Sequence, residues 1–178
     1  MNLPNKLTMA RVVMIPVFLV LLYLGTVPMQ WAALVVFVVA SLTDMLDGKI
    51  ARKYHLVTDF GKFADPLADK LLVCAAFVWF VEAGIMPAWI CFIILAREFI
   101  VTGLRIVAIE KGRVIAAGML GKIKTTIQMV SIVIILIPGV AGAQPVLVTV
   151  LNYAMMVITL WSGVDYVVKN FDLIRQAR

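Results

Sequence analysis

The chain has 178 residues, of which 63% are hydrophobic and 15% are charged, with a mean hydropathy of +1.05. This apolar surface exceeds what one soluble core of this size can hide, so the composition excludes an ordinary soluble domain and predicts an integral protein of the lipid bilayer. The net charge of +6 is spread along segment ends and is not gathered in a polar domain, which argues against nucleic acid as a partner.

Six apolar stretches follow one another along the chain, most of them near the ~20 residues that cross about 30 Å of hydrocarbon. They cover residues 12–25, 31–50, 66–83, 87–109, 123–140 and 145–168. No linker or second domain interrupts the sequence, so we predict one all-α membrane domain over residues 1–178 with six transmembrane helices. The first stretch is short, and the polar residues Asn5, Thr8 and Arg11 before it are expected to form a short interfacial helix.

Lysine and arginine are concentrated in alternate connections between these stretches. The N-terminus, residues 49–70, residues 111–124 and the C-terminal tail hold nearly all of them, whereas residues 25–30 and 138–145 carry none. By the positive-inside rule, both termini and the two basic loops face the cytoplasm. This pattern predicts a multi-pass protein of the inner (cytoplasmic) membrane.

Acidic and small residues recur at helical spacings between the second and third stretches. They are Asp44, Asp47, Gly48 and Ala51, followed by Gly61, Asp65 and Asp69. On helices, spacings of three, four and seven or eight residues place each set on one face. Ionised carboxylates at membrane depth cost several kcal/mol, so four of them require compensating cations in a hydrated cavity that opens toward the cytoplasm. Hard divalent metal ions are the candidates because they prefer oxygen ligands.

The small residues beside these acids leave room for a ligand. Gly48, Ala51 and Gly61 lie one or two turns from the carboxylates, and the planar guanidinium of Arg52 suits phosphate oxygens. Together they indicate a floor for a nucleotide diphosphate, clamped by two metal ions as in phosphoryl-transfer sites. Close helix packing remains an alternative for the small residues, and a topology charge for Arg52.

The chain resembles the CDP-alcohol phosphatidyltransferases at every fixed position of their signature, which here is Asp44-x-x-Asp47-Gly48-x-x-Ala51-Arg52-(x8)-Gly61-x-x-x-Asp65-x-x-x-Asp69. The resemblance implies a membrane enzyme of six helices that moves a phosphatidyl or related group from a CDP-alcohol to a second alcohol. Flanking segments, such as Arg97-Glu98-x-x-Val101-Thr102-Gly103-Leu104-Arg105, are similar to those of members that use CDP-diacylglycerol and glycerol 3-phosphate and yield phosphatidylglycerol phosphate and CMP.

The same resemblance implies roles for individual residues. The four aspartates would bind two divalent ions, Mg²⁺ or Mn²⁺, and Asp69 would also take the proton of the acceptor hydroxyl. The residues implied in CDP binding are Asp47, Gly48, Ala51, Arg52 and Gly61. A homodimer is also implied.

A second group of charges lies in and beside the fourth and fifth stretches. Arg97 and Glu98 fall about halfway along the fourth stretch, and Arg105 is about two turns nearer the cytoplasm. Because intramembrane ions usually pair, one interpretation is an Arg–Glu pair that locks helices together. The preferred hypothesis is that Arg105, with Lys122, Lys124 and Arg97, attracts the phosphate of glycerol 3-phosphate, while Glu98 orients Arg97 or Arg105.

Two other functions stay open at this stage. One is a synthase of the same family with a different acceptor, such as inositol phosphate, serine or choline, because the core signature does not separate acceptors. The other is a divalent-cation carrier, which explains the acids but not Gly48, Ala51, Arg52 and Gly61. Trp161, Tyr166 and Phe171, near the end of the last stretch, are predicted to be interfacial anchors outside the site.

Overall fold

The computed structural model describes the backbone of residues 3–53, 59–110 and 118–171, and the side chains of residues 9–43, 70–108 and 118–171. Within these ranges all regular structure is helical, which confirms the all-α class. The helices are α1 Leu3–Leu24, α2 Val27–Lys53, α3 Asp59–Glu82, α4 Ala88–Glu110, α5 Met119–Leu136, α6 Val140–Ala143 and α7 Pro145–Lys169.

The long helices follow the predicted apolar stretches, with a difference at the end of the fifth. That stretch was expected to run to residue 140, but α5 ends at Leu136. Ile137 precedes a proline and takes an extended conformation with ψ 124°, because the proline ring disfavours the helical conformation in the residue before it. Gly139 then turns the chain with φ +85°, which glycine adopts without a steric penalty.

The first helix corrects the expectation of a separate interfacial segment. Asn5, Thr8 and Arg11 all belong to α1, which is continuous from Leu3 to Leu24. Arg11 is also 1% exposed, and its Nε donates a hydrogen bond to the carbonyl oxygen of Ala40 in α2 at 3.4 Å. Its side chain therefore joins two helices and does not extend to the membrane surface.

The bundle consists of two groups of packed helices. Helix α1 lies along α2 and α3, whereas α7 lies along α4 and α5. Contacts of α2 with α5 and of α3 with α4 join the groups. The core is built from large apolar side chains, including Phe18 and Phe37, whose ring centroids are 5.7 Å apart. This arrangement brings the helices of the acidic signature against the helices that carry the buried basic residues.

Two of the described helices, α5 and α7, are long and apolar enough to cross a membrane. Helix α4 is of similar length, but Arg97, Glu98 and Arg105 interrupt its apolar sequence. Both α5 and α7 leave most of their surface outside the core, as expected for helices that face lipid. The helical architecture and its apolar surface fit a membrane protein.

Asn152 offers a test of the packing between α7 and the α3–α4 turn. Its side chain is 2% exposed, and its Nδ2 donates to the carbonyl oxygen of Ile85 at 2.9 Å. We expect Asn152→Ala to lower the free energy of unfolding by about 1 kcal/mol, because the Ile85 carbonyl loses its donor. Thermal unfolding in one detergent measures the change. Thr149→Ala is the control, since its exposed hydroxyl bonds only within α7, and an equal loss in both variants would contradict the assignment.

Candidate functional site

The acidic signature lies on helical backbone in both of its parts. Positions 44, 47, 48, 51 and 52 belong to α2, and positions 61, 65 and 69 belong to α3. The signature residues therefore have the helical spacing that was predicted. The side chains of Asp44, Asp47, Gly48, Ala51, Arg52, Gly61, Asp65 and Asp69 lie outside the described residues. Their proposed contacts with metal and CDP accordingly stay predictions.

Glu98 is shared between two cations from two helices. Its Oε1 accepts a hydrogen bond from Nη1 of Arg97 at 3.0 Å and another from Nζ of Lys124 in α5. The three side chains are 19%, 13% and 5% exposed for Glu98, Arg97 and Lys124. Since charges removed from water need close partners of opposite sign, this arrangement fastens α4 to α5. It also shows that Glu98 contacts Arg97 and not Arg105, the other partner considered from the sequence.

Arg97 is held from the opposite side by α7. Its Nη2 donates to Oγ of Ser162 at 2.6 Å. A methyl group added at Gly163 would lie 2.8 Å from Cγ of Arg97, closer than carbon atoms approach without displacement. The absence of a side chain at Gly163 therefore leaves room for the Arg97 side chain to pack against α7. Sequence analysis missed Ser162 and Gly163, although a small pair opposite a buried arginine is a recognisable packing signal.

Arg105 has different surroundings from Arg97. Its guanidinium carbon lies 5.5 Å from the centroid of the Tyr166 ring in α7. Its Nε is buried without a hydrogen-bond partner, and no ion pair joins it to another described side chain. Arg105 is partly buried and has no counterion among the described side chains, so an approaching anion would be a favourable partner. Among the described residues, Arg105 thus differs from Arg97 and Lys124 of the predicted phosphate-binding set, which both pair with Glu98.

The predicted set of Arg105, Lys122 and Lys124 does not form one cluster around Arg105. Lys124 is 4% exposed and points at Glu98, whereas Lys122 lies on the exposed surface of α5. Lys122 and Lys124 are two positions apart, which corresponds to a rotation of about 200° around the helix axis. The two lysines therefore lie on opposite sides of α5. The sequence showed their proximity along the chain but not the faces that they occupy.

Lys70 connects the acidic segment to this group of charges. It directly follows Asp69 in α3, and its Nζ donates to Oγ1 of Thr102 in α4. The same hydroxyl donates to the backbone carbonyl of Glu98 at 2.7 Å. A cavity of about 60 Å³ beside it is lined in part by Lys70, Glu98, Lys124 and Gln128. Sequence analysis missed the Lys70–Thr102 contact, which only the packing of α3 against α4 reveals.

Tyr166 corrects one sequence-based expectation. It was predicted to be an interfacial anchor together with Trp161 and Phe171, but it is 8% exposed, compared with 63% and 59% for those two residues. Anchors keep their polar ends in the wet interface, whereas the hydroxyl of Tyr166 is buried and has no hydrogen-bond partner. The spacing of Ser162 and Tyr166, four residues apart on one face of α7, was the signal available in the sequence.

Comparisons with known proteins agree with the signature. Residues 1–164 match the family model described as CDP-alcohol phosphatidyltransferase. A protein of Bacillus subtilis named CDP-diacylglycerol--glycerol-3-phosphate 3-phosphatidyltransferase is 41% identical over 98% of this chain and 97% of its own length. A protein of Sodalis glossinidius with the same name is 38% identical over 93% of both chains. A probable phosphatidylglycerophosphate synthase of Mycobacterium tuberculosis is 41% identical over 94% of this chain and 81% of its own length.

The structural role of the Glu98 carboxylate can be tested by replacing it with a neutral side chain of the same shape. In Glu98→Gln, Arg97 and Lys124 would lose their common anion, so we expect about 3 kcal/mol less stability against unfolding in detergent. Asp165→Asn is the matched control, because Asp165 forms an ion pair at 2.8 Å with Lys169, which is 68% exposed. Such an exposed pair contributes about 0.5 kcal/mol or less. Equal melting temperatures for the two variants would contradict a structural role for Glu98.

Proposed function

The chain belongs to the CDP-alcohol phosphatidyltransferase family, and we propose that it transfers the phosphatidyl group of CDP-diacylglycerol to glycerol 3-phosphate. The products are phosphatidylglycerol phosphate and CMP, and the reaction is a step of phospholipid synthesis. Relatives named for this activity match nearly the whole chain. The residues that the signature requires are all present.

The observation that carries the choice of acceptor is the guanidinium of Arg105, which has no ion-pair partner among the described residues. Arg97 and Lys124 already contact Glu98, but the described residues offer Arg105 only the ring of Tyr166. A phosphorylated alcohol supplies the missing anion, and phosphate oxygens match the planar donor edges of arginine. This favours glycerol 3-phosphate over an acceptor without a phosphate. Arg97, Lys122 and Lys124 then contribute positive potential around it and do not all contact the phosphate.

The donor substrate is assigned to the acidic segment of α2 and α3. Asp44, Asp47, Asp65 and Asp69 would hold two divalent ions, Mg²⁺ or Mn²⁺, and a set of carboxylate oxygens suits these hard cations. Bound there, the ions would neutralise the diphosphate of CDP-diacylglycerol and make CMP a better leaving group.

Residues of the acidic segment are also proposed to contact the CDP portion of the donor and to accept the proton of the acceptor hydroxyl. The residues proposed to contact the CDP portion are Asp47, Gly48, Ala51, Arg52 and Gly61. Asp69 is proposed as the base that accepts the proton of the attacking hydroxyl. Lys70, the next residue, bonds to Thr102 of α4.

We further propose that the protein works within the inner membrane. The alternation of basic and uncharged connections supports six spans, with both termini and the active site on the cytoplasmic side of the inner membrane. The apolar helices α5 and α7 support insertion in the bilayer. We also propose that the protein forms a homodimer, which only the family resemblance supports.

A release assay tests the proposed reaction. Purified protein in detergent is incubated with CDP-diacylglycerol that carries a radiolabel in its CMP moiety. Each reaction contains one acceptor from a panel of glycerol 3-phosphate, inositol phosphate, serine and choline. We expect release with glycerol 3-phosphate in the presence of Mg²⁺, no release with a chelator, and a loss on the order of 10²- to 10⁴-fold in Asp69→Asn. Preference for another acceptor would refute the substrate assignment, and no release under any condition would refute the transferase.

Arg105 provides a separate test of the acceptor site. We expect Arg105→Ala to raise KM for glycerol 3-phosphate by about 10- to 100-fold, since a charge-assisted contact contributes roughly 1.5 to 3 kcal/mol. KM for CDP-diacylglycerol should change little. Lys169→Ala, which removes an exposed cation paired with Asp165, is the control and should alter neither constant. An equal rise in both constants for Arg105→Ala would count against the assignment.

A further inference from the structure

Helix α7 contacts both arginines of α4, which are partly buried. Ser162 accepts a hydrogen bond from Arg97, and the ring of Tyr166 lies beneath the guanidinium of Arg105. The distance of 5.5 Å from the guanidinium carbon to the ring centroid is within the ~6 Å range of a cation–π interaction. We propose that Tyr166 is a positioning residue for the acceptor, whose ring orients Arg105 toward the phosphate of glycerol 3-phosphate. This inference rests on the proposed function.

The geometry of arginine explains why the ring can orient the guanidinium without blocking it. A cation–π contact uses the face of the guanidinium plane, whereas hydrogen bonds to phosphate use its N–H edge. The two contacts are therefore compatible. A free arginine side chain samples many rotamers, and each phosphate contact must overcome that entropy. A ring that is 8% exposed and fixed in α7 reduces this cost before the acceptor arrives.

The ring, and not the hydroxyl, carries this role. The hydroxyl oxygen of Tyr166 is buried and has no hydrogen-bond partner in the structure. Removing an unpaired buried hydroxyl while keeping the ring is nearly neutral. Phenylalanine should therefore replace Tyr166, whereas an aliphatic residue of similar size should not.

The experiment compares Tyr166→Phe and Tyr166→Leu in purified full-length protein. We expect the leucine variant to raise KM for glycerol 3-phosphate about fivefold, as for the loss of one cation–π contact, with KM for CDP-diacylglycerol unchanged. The phenylalanine variant should stay within about twofold of the original protein. Tyr153→Leu is the matched control, because Tyr153 also lies in α7 but packs on Trp89 with ring centroids 6.0 Å apart. It should leave both constants unchanged.

A double-mutant cycle separates positioning from general packing. In an Arg105→Ala background, Tyr166→Leu should cause no further rise in KM for glycerol 3-phosphate, because the residue through which it acts is gone. A full additional effect in that background would overturn the inference. So would equal changes in both constants, or a phenylalanine variant as impaired as the leucine variant. Tyr166→Met carries the same expectation if the leucine variant does not fold.

The outcomes also distinguish this inference from the proposed reaction. If the original protein releases no CMP with glycerol 3-phosphate, the proposed function is wrong. If it releases CMP normally and Tyr166→Leu keeps the original KM for glycerol 3-phosphate, only the positioning role of Tyr166 is wrong. A rise confined to that constant supports both.

Discussion

The sharing of Glu98 between Arg97 and Lys124 is the interaction on which the basic half of the molecule depends. In an apolar bundle, a cation must meet an anion, a dipole or a ligand, because water is not available to solvate it. One carboxylate here contacts cations from α4 and α5, and Arg97 extends the connection to α7 through Ser162. The three helices are thereby fixed relative to one another. The position of Arg105, two turns further along α4, follows from that arrangement.

A reaction between two substrates requires two adjacent binding regions. The contacts between the two groups of helices bring such regions together. The acidic signature belongs to the group formed by α1, α2 and α3. The partly buried Arg97 and Arg105 and the buried Lys124 belong to the group of α4, α5 and α7. The bond from Lys70 to Thr102 crosses between the groups at the residue after Asp69. In the proposed function, CDP-diacylglycerol with its metal ions would bind in the first region and glycerol 3-phosphate in the second.

Much of the fold was predictable because a helix that faces lipid has an apolar sequence of a definite length. Local chemistry also explains the early end of α5, since Ile137 precedes a proline. Contacts between helices were less accessible. The sequence placed Glu98 beside Arg97 and about two turns from Arg105, but it did not show that Glu98 contacts Lys124. It also did not show that Arg11 is buried against α2 or that Tyr166 lies under Arg105. Periodicity identifies the face of a helix and leaves the neighbour of that face undetermined.

The two arginines of α4 resolve an ambiguity in the sequence. A buried arginine can lock helices together or bind a ligand, and both interpretations were open for Arg97 and Arg105. Arg97 has Glu98, Ser162 and the space left by Gly163, so both of its terminal nitrogens already have partners. Its Nε, like that of Arg105, has none. Arg105 rests on an aromatic face that consumes none of its donors. These contacts favour a structural role for Arg97 and support the proposal that Arg105 binds an anion.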